Sequence, residues 1–462
     1  LNRRIDRFGG DFENRMRFPR KAITRIRQAV GADYPLQLRV SRHLIIPESF
    51  DSEDMLAFLK SVEDVVDIIN VSAGMDCYYE ANPHVNPTVF EPHMYNADFA
   101  RRVKQTCNTL VSSIGAIMTP EEMEGIIASG TADAVMIGRQ LLADPFFPKK
   151  AQEGRSEDIV PCLRCLYCYH ITTEHKNVQC AVNPRFRREN RVPLKLSKVE
   201  KPKQVVIVGG GPAGLKAALT ADERGHHVTV LEQSGRLGGQ INCSDYDAYK
   251  QDLKRYRDYL LTQVKKSKID VKLNTEATPE LVKTFKPDAL IIAVGAEPIT
   301  PPIPGVEHAR QAVDAYPDLD TMKGTIVVIG GGTIGSEIGL ELAERGNTVH
   351  IIEITDTLNA QGNMLYRIAI RQHMEKCKTL YAHTETVCTQ IKPDGVVVKG
   401  KNSHEQFIAA DHILLAVGMK AKRDLAHSFY GIVHDTFTIG DCARAANVKE
   451  AVETATLIAM NL

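Results

Sequence analysis

Gln204–Gly214 reads QVVIVGGGPAG, a run of valine and isoleucine that passes directly into the glycine pattern GxGxxG. An alanine-rich, helix-like segment follows, and a second apolar run, Val228–Leu231, ends at Glu232. Strand, glycine turn, helix, strand and terminal acid in this order are typical of a dinucleotide-binding βαβ unit. The sequence therefore predicts an α/β fold with a parallel sheet in this part of the chain.

The glycines of this motif have tasks that a larger residue would obstruct. Gly209 makes the tight turn, Gly211 admits a pyrophosphate, and Gly214 lets the helix pack closely on the strand. Glu232 stands where a carboxylate can accept hydrogen bonds from ribose hydroxyls. We expect these four residues to bind a dinucleotide.

The same unit occurs a second time. Ile326–Ile329 leads into GGGTIG at Gly330–Gly335, and the strand Val349–Ile352 ends at Glu353. Glu353 favours NAD over NADP because a carboxylate repels a 2′-phosphate. We expect the second dinucleotide to lie over three glycines, Gly330, Gly332 and Gly335.

Four cysteines precede both units: Cys162, Cys165, Cys168 and Cys180. Clustered thiols without a secretory segment indicate a metal or iron–sulfur site rather than disulfides. Zinc sites usually group cysteines as two separated pairs, whereas three at two-residue intervals plus one distant ligand is typical of a cubane cluster. The spacing favours a [4Fe–4S] cluster, with zinc as the alternative.

The bulk composition excludes some classes of protein. The 462 residues suffice for about three domains, and 57 Lys plus Arg balance 57 Asp plus Glu, so no basic excess favours nucleic acid. No apolar run in this sequence reaches the length of a membrane span, and we expect no charged-then-apolar leader. We expect a cytoplasmic protein without nucleic-acid or membrane partners, and homo-oligomerisation stays open.

Residues 1–150 alternate strand-like runs with amphipathic helical segments, which indicates βα units and a parallel sheet. The predicted strands are Leu36–Ser41, Asp67–Ser72, Leu110–Ile114 and Ala134–Ile137. Gly115 and Gly138–Arg139 follow the last two strands, where such folds often bind a phosphate. Tight-turn glycines and a solvated arginine are the alternative.

The motifs in Asn2–Phe18 and the GRQLLADP of Gly138–Pro145 resemble the old yellow enzyme family. The resemblance continues through the cysteines and both glycine motifs and implies the multidomain branch, which includes NADH:flavin oxidoreductases, 2,4-dienoyl-CoA reductase and trimethylamine dehydrogenase. That branch joins an FMN-bearing (β/α)8 barrel to a [4Fe–4S] loop and a disulfide-reductase-like FAD and NAD(P)H portion.

The resemblance assigns further residues. Arg39 matches an arginine near the flavin pyrimidine ring. In the loop Met75–His93 over the flavin, a histidine or tyrosine could donate a proton; His84 is the best placed by analogy, and a solvated histidine is the alternative. Gln240 closes an LGGQ segment that resembles FAD-binding members, and Asp441 resembles the aspartate that binds the FAD ribityl chain. No CxxC pair follows the first glycine motif, which argues against disulfide chemistry of the thioredoxin-reductase type.

The resemblance also implies that the family's first four barrel strands lie before Leu1, so we expect the C-terminal half of a TIM barrel followed by two Rossmann-like domains. The expected segments are a partial barrel for FMN and substrate (1–155), an iron–sulfur loop and linker (156–200), an FAD domain (201–322), an NAD(H) domain (323–418) and the FAD return (419–462).

The functional expectation is an electron relay from NADH through FAD, [4Fe–4S] and FMN to an activated C=C bond of a small unsaturated substrate: an enoate, enoyl-CoA or enone. NADH delivers two electrons together, whereas a cluster moves one at a time. The alternatives are an amine dehydrogenase or desaturase on the same scaffold, or an electron-transfer module without ene-reductase activity.

Overall fold

The computed structural model describes residues 2–401 and 404–462; Leu1, where the predicted barrel segment begins, lies outside them. The chain forms two compact units. The N-terminal unit runs to Leu141 and includes Ala151–Ser156, and the C-terminal unit comprises Leu142–Lys150 with Glu157–Leu462. No helix in the described ranges is long and apolar enough to cross a membrane.

The N-terminal unit is built on four parallel strands in the order β1-β2-β3-β4. Its core packs helix faces against the sheet and includes Leu59, Ile69, Phe99 and Val111, each at most 2% exposed. The elements that lie in it or begin or end in it are α1 (Phe12–Val30), β1 (Gln37–Ser41), α2 (Ser52–Lys60), β2 (Ile68–Ser72), α3 (Asn82–Val85), α4 (Ala97–Thr106), β3 (Leu110–Ile114), α5 (Pro120–Ala128), β4 (Ala134–Met136), α6 (Arg139–Ala143) and α7 (Phe147–Gln152).

The four strands predicted for this unit are confirmed, each to within one residue at either end. Sequential neighbours pair in parallel, as in Gln37 with Ile68 and Ile68 with Leu110. Consecutive parallel strands joined by helices are the βα units of a (β/α)8-type barrel. All four strands therefore end at one edge of the sheet, where Gly115 and Gly138 follow β3 and β4.

The first sheet of the C-terminal unit has the order β19-β8-β5-β6-β7, with every pair parallel. Helix α9 packs on it through small residues, including Ala217, Ala218 and Ala221, which have no exposed surface. Its elements, with the helices around it, are α8 (Tyr167–Thr173), β5 (Gln204–Val208), α9 (Pro212–Arg224), β6 (His227–Leu231), α10 (Gln251–Lys266), β7 (Asp270–Lys272), α11 (Pro279–Thr284), β8 (Ala289–Ile292), β19 (Asp435–Thr438) and α16 (Val448–Ala459).

The second parallel sheet, β10-β17-β11-β12-β13, lies between β8 and β19 in the sequence. One parallel sheet of the C-terminal unit is thus inserted in the sequence between two strands of the other. The remaining elements are β9 (Ala296–Pro298), β10 (Arg310–Gln311), α12 (Ala312–Ala315), β11 (Thr325–Ile329), α13 (Thr333–Glu344), β12 (Thr348–Ile352), α14 (Met364–Met374), β13 (Leu380–His383), β14 (Val387–Lys392), β15 (Gly395–Lys399), β16 (Glu405–Ala409), β17 (His412–Leu415), β18 (Met419–Ala421) and α15 (Arg423–His427).

Candidate functional site

The first glycine motif forms a turn that other residues could not form. Gly209 has φ +110°, and a Cβ atom there would lie 2.3 Å from the carbonyl oxygen of Ala293. A Cβ at Gly214 would lie 1.9 Å from the carbonyl oxygen of Gly209, so the helix and the strand touch through their backbones. The geometry at both positions is that expected of a dinucleotide turn.

Glu232 is fixed at the rim of this turn. Its side chain is buried, and Oε2 accepts a hydrogen bond from the Gly210 amide at 2.7 Å. Oε1 accepts from the amide of Ser234 at 2.8 Å and from its hydroxyl at 2.7 Å. Ser234 was not predicted from the sequence, since a serine after a strand is an ordinary loop residue.

Two distant segments meet at the start of α9. A Cβ atom on Gly239 would lie 3.0 Å from the Cα atom of Gly211, and one on Gly440 would lie 2.7 Å from the Cβ atom of Ala213. A Cβ on Gly211 would find nothing closer than 4.0 Å, which leaves the turn open to a ligand. The structure therefore brings together six predicted positions: Gly209, Gly211, Gly214, Glu232, Gln240 and Asp441.

The two polar side chains of these segments have different surroundings. Burial raises the pKa of Asp441, whose Oδ1 accepts a hydrogen bond from the Ala446 amide at 3.1 Å. Gln240 is exposed and donates from Nε2 to the carbonyl oxygen of Ala296 at 3.0 Å. Both lie beside the open turn and present polar atoms that a dinucleotide could use.

The second glycine motif repeats the first. Gly330 has φ +103°, and a Cβ at Gly335 would lie 1.9 Å from the Gly330 carbonyl oxygen. A Cβ at Gly332 would have nothing within 4 Å, so this turn is also open. The open turn and the glycine contacts fit a bound dinucleotide.

Glu353 takes the place that Glu232 has in the first motif. Its Oε2 accepts from the Gly331 amide at 2.7 Å, and its Oε1 accepts from the amide and the hydroxyl of Thr355, each at 2.8 Å. Glu353 is buried, which leaves a carboxylate of fixed orientation at the end of β12.

The four cysteines lie in the C-terminal unit in a segment with unusual backbone geometry. Arg164 and Leu166 have φ +48° and +55°, and the Arg164 amide donates to the Cys162 sulfur at 3.4 Å. Burial raises the pKa of Cys180, and the nearby thiols of Cys162 and Cys165 raise it further. Cys162, Cys165 and Cys180 therefore lie close enough to interact electrostatically. The fourth predicted ligand, Cys168, lies in the first turn of α8.

These thiols match the donor set of an iron–sulfur cluster in their chemistry. Backbone amides of Val182 and Asn183 donate to Cys180, as the Arg164 amide does to Cys162, and such hydrogen bonds to sulfur tune a cluster. In the part of the chain that the structure describes, no three His, Cys, Asp or Glu side chains are placed close enough together to hold a metal ion.

Three helices of the C-terminal unit hold the cysteine segment. Arg164 and Asp252 of α10 form a buried ion pair at 2.5 Å. Asn363, which caps α14, donates from Nδ2 to the carbonyl oxygen of Cys165 at 3.0 Å. The ammonium of Lys449 in α16 lies 5.4 Å from the centre of the Tyr167 ring.

In the N-terminal unit, the residues predicted to bind a flavin phosphate follow neighbouring strands. Gly115 has φ +121°, and Gly138 is exposed, with nothing within 4 Å of a Cβ added to it. Arg139 is half-buried at the start of α6, and Arg39 on β1 donates to the Ser72 hydroxyl at 3.1 Å. Backbone open at Gly138 beside an arginine fits a bound phosphate group.

His84 belongs to a small polar cluster in α3 and the loop after it. Its Nδ1 lies 2.6 Å from the Tyr95 hydroxyl and 3.6 Å from Glu91 Oε1. The guanidinium of Arg42 lies 4.6 Å from the centre of the Tyr95 ring. Burial, and then the charge of Glu91, raises the pKa of Tyr95. The sequence did not single out Tyr95, because its link to His84 depends on how the loop folds.

Two family models match the chain. The NADH:flavin oxidoreductase / NADH oxidase family matches residues 1–158, and the pyridine nucleotide-disulphide oxidoreductase family matches residues 203–456. The chain belongs to the multidomain old yellow enzyme family. The resemblance inferred from the motifs is confirmed, and this chain is an NADH:flavin oxidoreductase in the sense of that family.

Other members of the multidomain old yellow enzyme family match the chain along its whole length. An NADH oxidase from Thermoanaerobacter brockii is 35% identical over 477 residues, covering 100% of this chain and 72% of that protein. A cinnamate reductase from Clostridium sporogenes is 29% identical and covers 100% and 71%. The structure of a 2-naphthoyl-CoA reductase in complex with 2-naphthoyl-CoA has a TM-score of 0.90 and 29% identity, covering 100% and 70%.

Proposed function

We propose that this protein is an NADH-dependent flavin and iron–sulfur reductase of an activated C=C bond in an enoate, enoyl-CoA or enone. The observation that carries the proposal is the arrangement of the C-terminal unit, where one cysteine segment contacts helices of both dinucleotide folds. The similarity to a cinnamate reductase and a 2-naphthoyl-CoA reductase supports an unsaturated acid or its thioester as substrate.

The proposal assigns each predicted residue to one group. NAD(H) lies over the turn of Gly330, Gly332 and Gly335 with Glu353; FAD uses Gly209, Gly211, Gly214, Glu232, Gln240 and Asp441; FMN uses Arg39, Gly115, Gly138 and Arg139; the cluster takes Cys162, Cys165, Cys168 and Cys180. When bound, NADH and FAD supply hydride exchange, the cluster supplies single-electron transfer, and FMN supplies reduction of the double bond.

The protein's own side chains orient these groups and move the proton. Glu353 holds the ribose of the nicotinamide cofactor. In the N-terminal unit, the fixed charge of Arg39 would stabilise negative charge on the FMN ring. His84 and Tyr95, joined by a 2.6 Å contact, hold a proton for the substrate carbon that receives it.

NADH-driven dye reduction separates the two ends of this pathway. For the flavin-loaded protein we expect Glu353→Ala to raise the KM for NADH at least tenfold, because the ribose loses its acceptor. His84→Gln should leave dye reduction unchanged and lower cinnamate reduction by about a hundredfold, the size of a lost acid catalyst. A flavin-loaded wild type that reduces no dye with NADH would refute the proposal.

Metal analysis tests the cysteine assignment. The anaerobically purified protein should contain about four irons and as many acid-labile sulfides, and Cys165→Ala should lose most of both. The matched control is Cys77→Ser, since Cys77 is an exposed cysteine outside the segment. Zinc in place of iron would instead favour the structural-zinc alternative and remove the electron path.

A further inference from the structure

The C-terminal unit contains a cavity of about 260 Å³ that none of the predicted site residues lines. Its walls come from Ala143–Phe146, from Val182–Arg185 after the last cysteine, and from helices α9 and α10. At about 30 Å³ per water molecule, the space corresponds to roughly eight or nine waters. It is large enough for a small organic ligand.

Two polar side chains on the cavity wall have no hydrogen-bond partner among the described residues: the amine of Lys216 on α9 and the hydroxyl of Tyr259 on α10. Tyr259 stacks on the fully buried Tyr256 at 6.3 Å between ring centres, which fixes its ring. Both side chains are half-buried and border the cavity, so a bound acceptor could take a hydrogen bond from each of them.

The charges around the cavity balance except at Lys216. Arg185 pairs with Glu223 at 2.7 Å, and Lys150 pairs with the buried Asp144 at 2.6 Å. Lys216 has no carboxylate within ion-pair distance in the described chain, and burial together with Arg185 lowers its pKa to about 8. The cavity therefore has one unbalanced cationic position, which matches a ligand with a single negative charge.

Apolar side chains, among them Val160, Leu194, Leu219 and Leu260, share the lining with the polar side chains of Asn183, Thr220 and Gln263. An inorganic anion would leave these side chains against water. A carboxylate with a short aliphatic or aromatic tail would accept from the two donors and pack its tail on the apolar lining residues.

We propose that this cavity is a second small-molecule site, which binds a short-chain or aromatic carboxylate through Lys216 and Tyr259 and packs its tail against Leu219 and Leu260. No residue of either glycine turn and none of the four cysteines lines the cavity, and the proposal does not depend on the redox function.

Calorimetric titration of the cofactor-loaded protein with butyrate and with benzoate tests the site. Butyrate has no C=C bond, and benzoate has only its aromatic ring. A reductase of activated C=C bonds should therefore consume neither compound during the titration. We expect saturable binding of one equivalent, weakened at least tenfold by Lys216→Met and severalfold by Tyr259→Phe. Lys268→Met, at an exposed lysine just after α10, should bind as the wild type does.

Lys216→Arg keeps the positive charge and should bind the carboxylates within about threefold of the wild-type affinity. This variant therefore shows whether Lys216→Met binds weakly because it lost the charge or because it lost the fold. Inorganic phosphate, titrated in the same way, should bind at least tenfold more weakly than benzoate. The proposal is overturned if the wild type binds neither carboxylate saturably, if Lys216→Met binds as tightly as the wild type, or if phosphate binds as well as benzoate.

Discussion

The pKa of Lys216 gives a stability signature that one substitution can isolate. Its value of about 8 in the folded chain lies below the value near 10.4 of an unfolded lysine. Between pH 8 and pH 10.4 the unfolded state binds more protons than the folded state, so this residue makes the free energy of unfolding rise with pH. Below pH 8 the charged lysine lowers that free energy by up to about 3 kcal/mol, at 1.36 kcal/mol per unit of pKa shift. Lys216→Met should therefore be more stable than the wild type at pH 7, with a gain that shrinks towards zero by pH 10.5.

Urea unfolding of both proteins at pH 7, 8, 9 and 10, without added carboxylate, measures this difference. Lys268→Met serves as the control, because an exposed lysine should show no change in the difference with pH. A difference between Lys216→Met and the wild type that stays constant over this range would contradict a lowered pKa.

The two glycine turns were predictable from the sequence, because their glycines repeat in a fixed local order. The glycines at 209, 214, 330 and 335 were found because a turn needs them at set intervals, and the structure gives them the expected close backbone contacts. Ser234, Thr355 and Tyr95 were missed, because a hydrogen bond to Glu232, Glu353 or His84 leaves no pattern in a single sequence.

At the start of α13, two glycines have different roles: Gly332 leaves room for a ligand, and Gly335 lets the helix pack closely on the turn. Gly332 has φ −66° and free space for a Cβ, so Gly332→Ala should fold normally and raise the KM for NADH at least tenfold by crowding the pyrophosphate. Gly335→Ala places a Cβ 1.9 Å from the Gly330 carbonyl, and should destabilise the protein by about 1–3 kcal/mol or more. Thermal unfolding and NADH kinetics, measured on both variants, distinguish the two roles. An equal loss of stability in Gly332→Ala and Gly335→Ala would contradict the assignment.

Helix α10 supports the cysteine segment through one buried ion pair. Asp252→Asn removes the buried carboxylate that pairs with Arg164 and with Arg255, and we expect the free energy of unfolding to fall by about 3–5 kcal/mol together with a lower iron content. Asp258→Asn on the same helix is the matched control, since Asp258 is 51% exposed in its pair with Arg257 and should cost less than about 1 kcal/mol. Equal thermal stability of the two variants would show that the buried pair does not hold the segment.

For the whole molecule, the sheets and the insertion were predictable, because apolar runs and the repeated glycine motif are local signals. The contacts that position the cysteines were not. Arg164 and Asp252 are 88 residues apart, and Asn363 and Cys165 are 198 residues apart, so only the folded chain brings them together. The cavity proposed for a carboxylate was not predicted for the same reason, because its lining residues are far apart in the sequence.

Division into two compact units predicts how ligands change the unfolding of the whole protein. NAD⁺ at a hundred times its Kd should stabilise the C-terminal unit by about 2.7 kcal/mol and leave the N-terminal unit unchanged, because the second glycine turn lies in the C-terminal unit. Calorimetry should show two transitions, of which one moves. A single transition that shifts as a whole would mean that the units unfold together.

The matching hydrogen bonds of Glu232 and Glu353 make each dinucleotide fold a template for redesigning the other. Gly210 and Ser234 stand to Glu232 as Gly331 and Thr355 stand to Glu353, at the same spacing and with oxygen contacts of 2.7–2.8 Å in both. A substitution that changes the preferred nucleotide at one acid can therefore be grafted at the other without redesigning the backbone. One laboratory selection on Glu353 would supply variants for both positions.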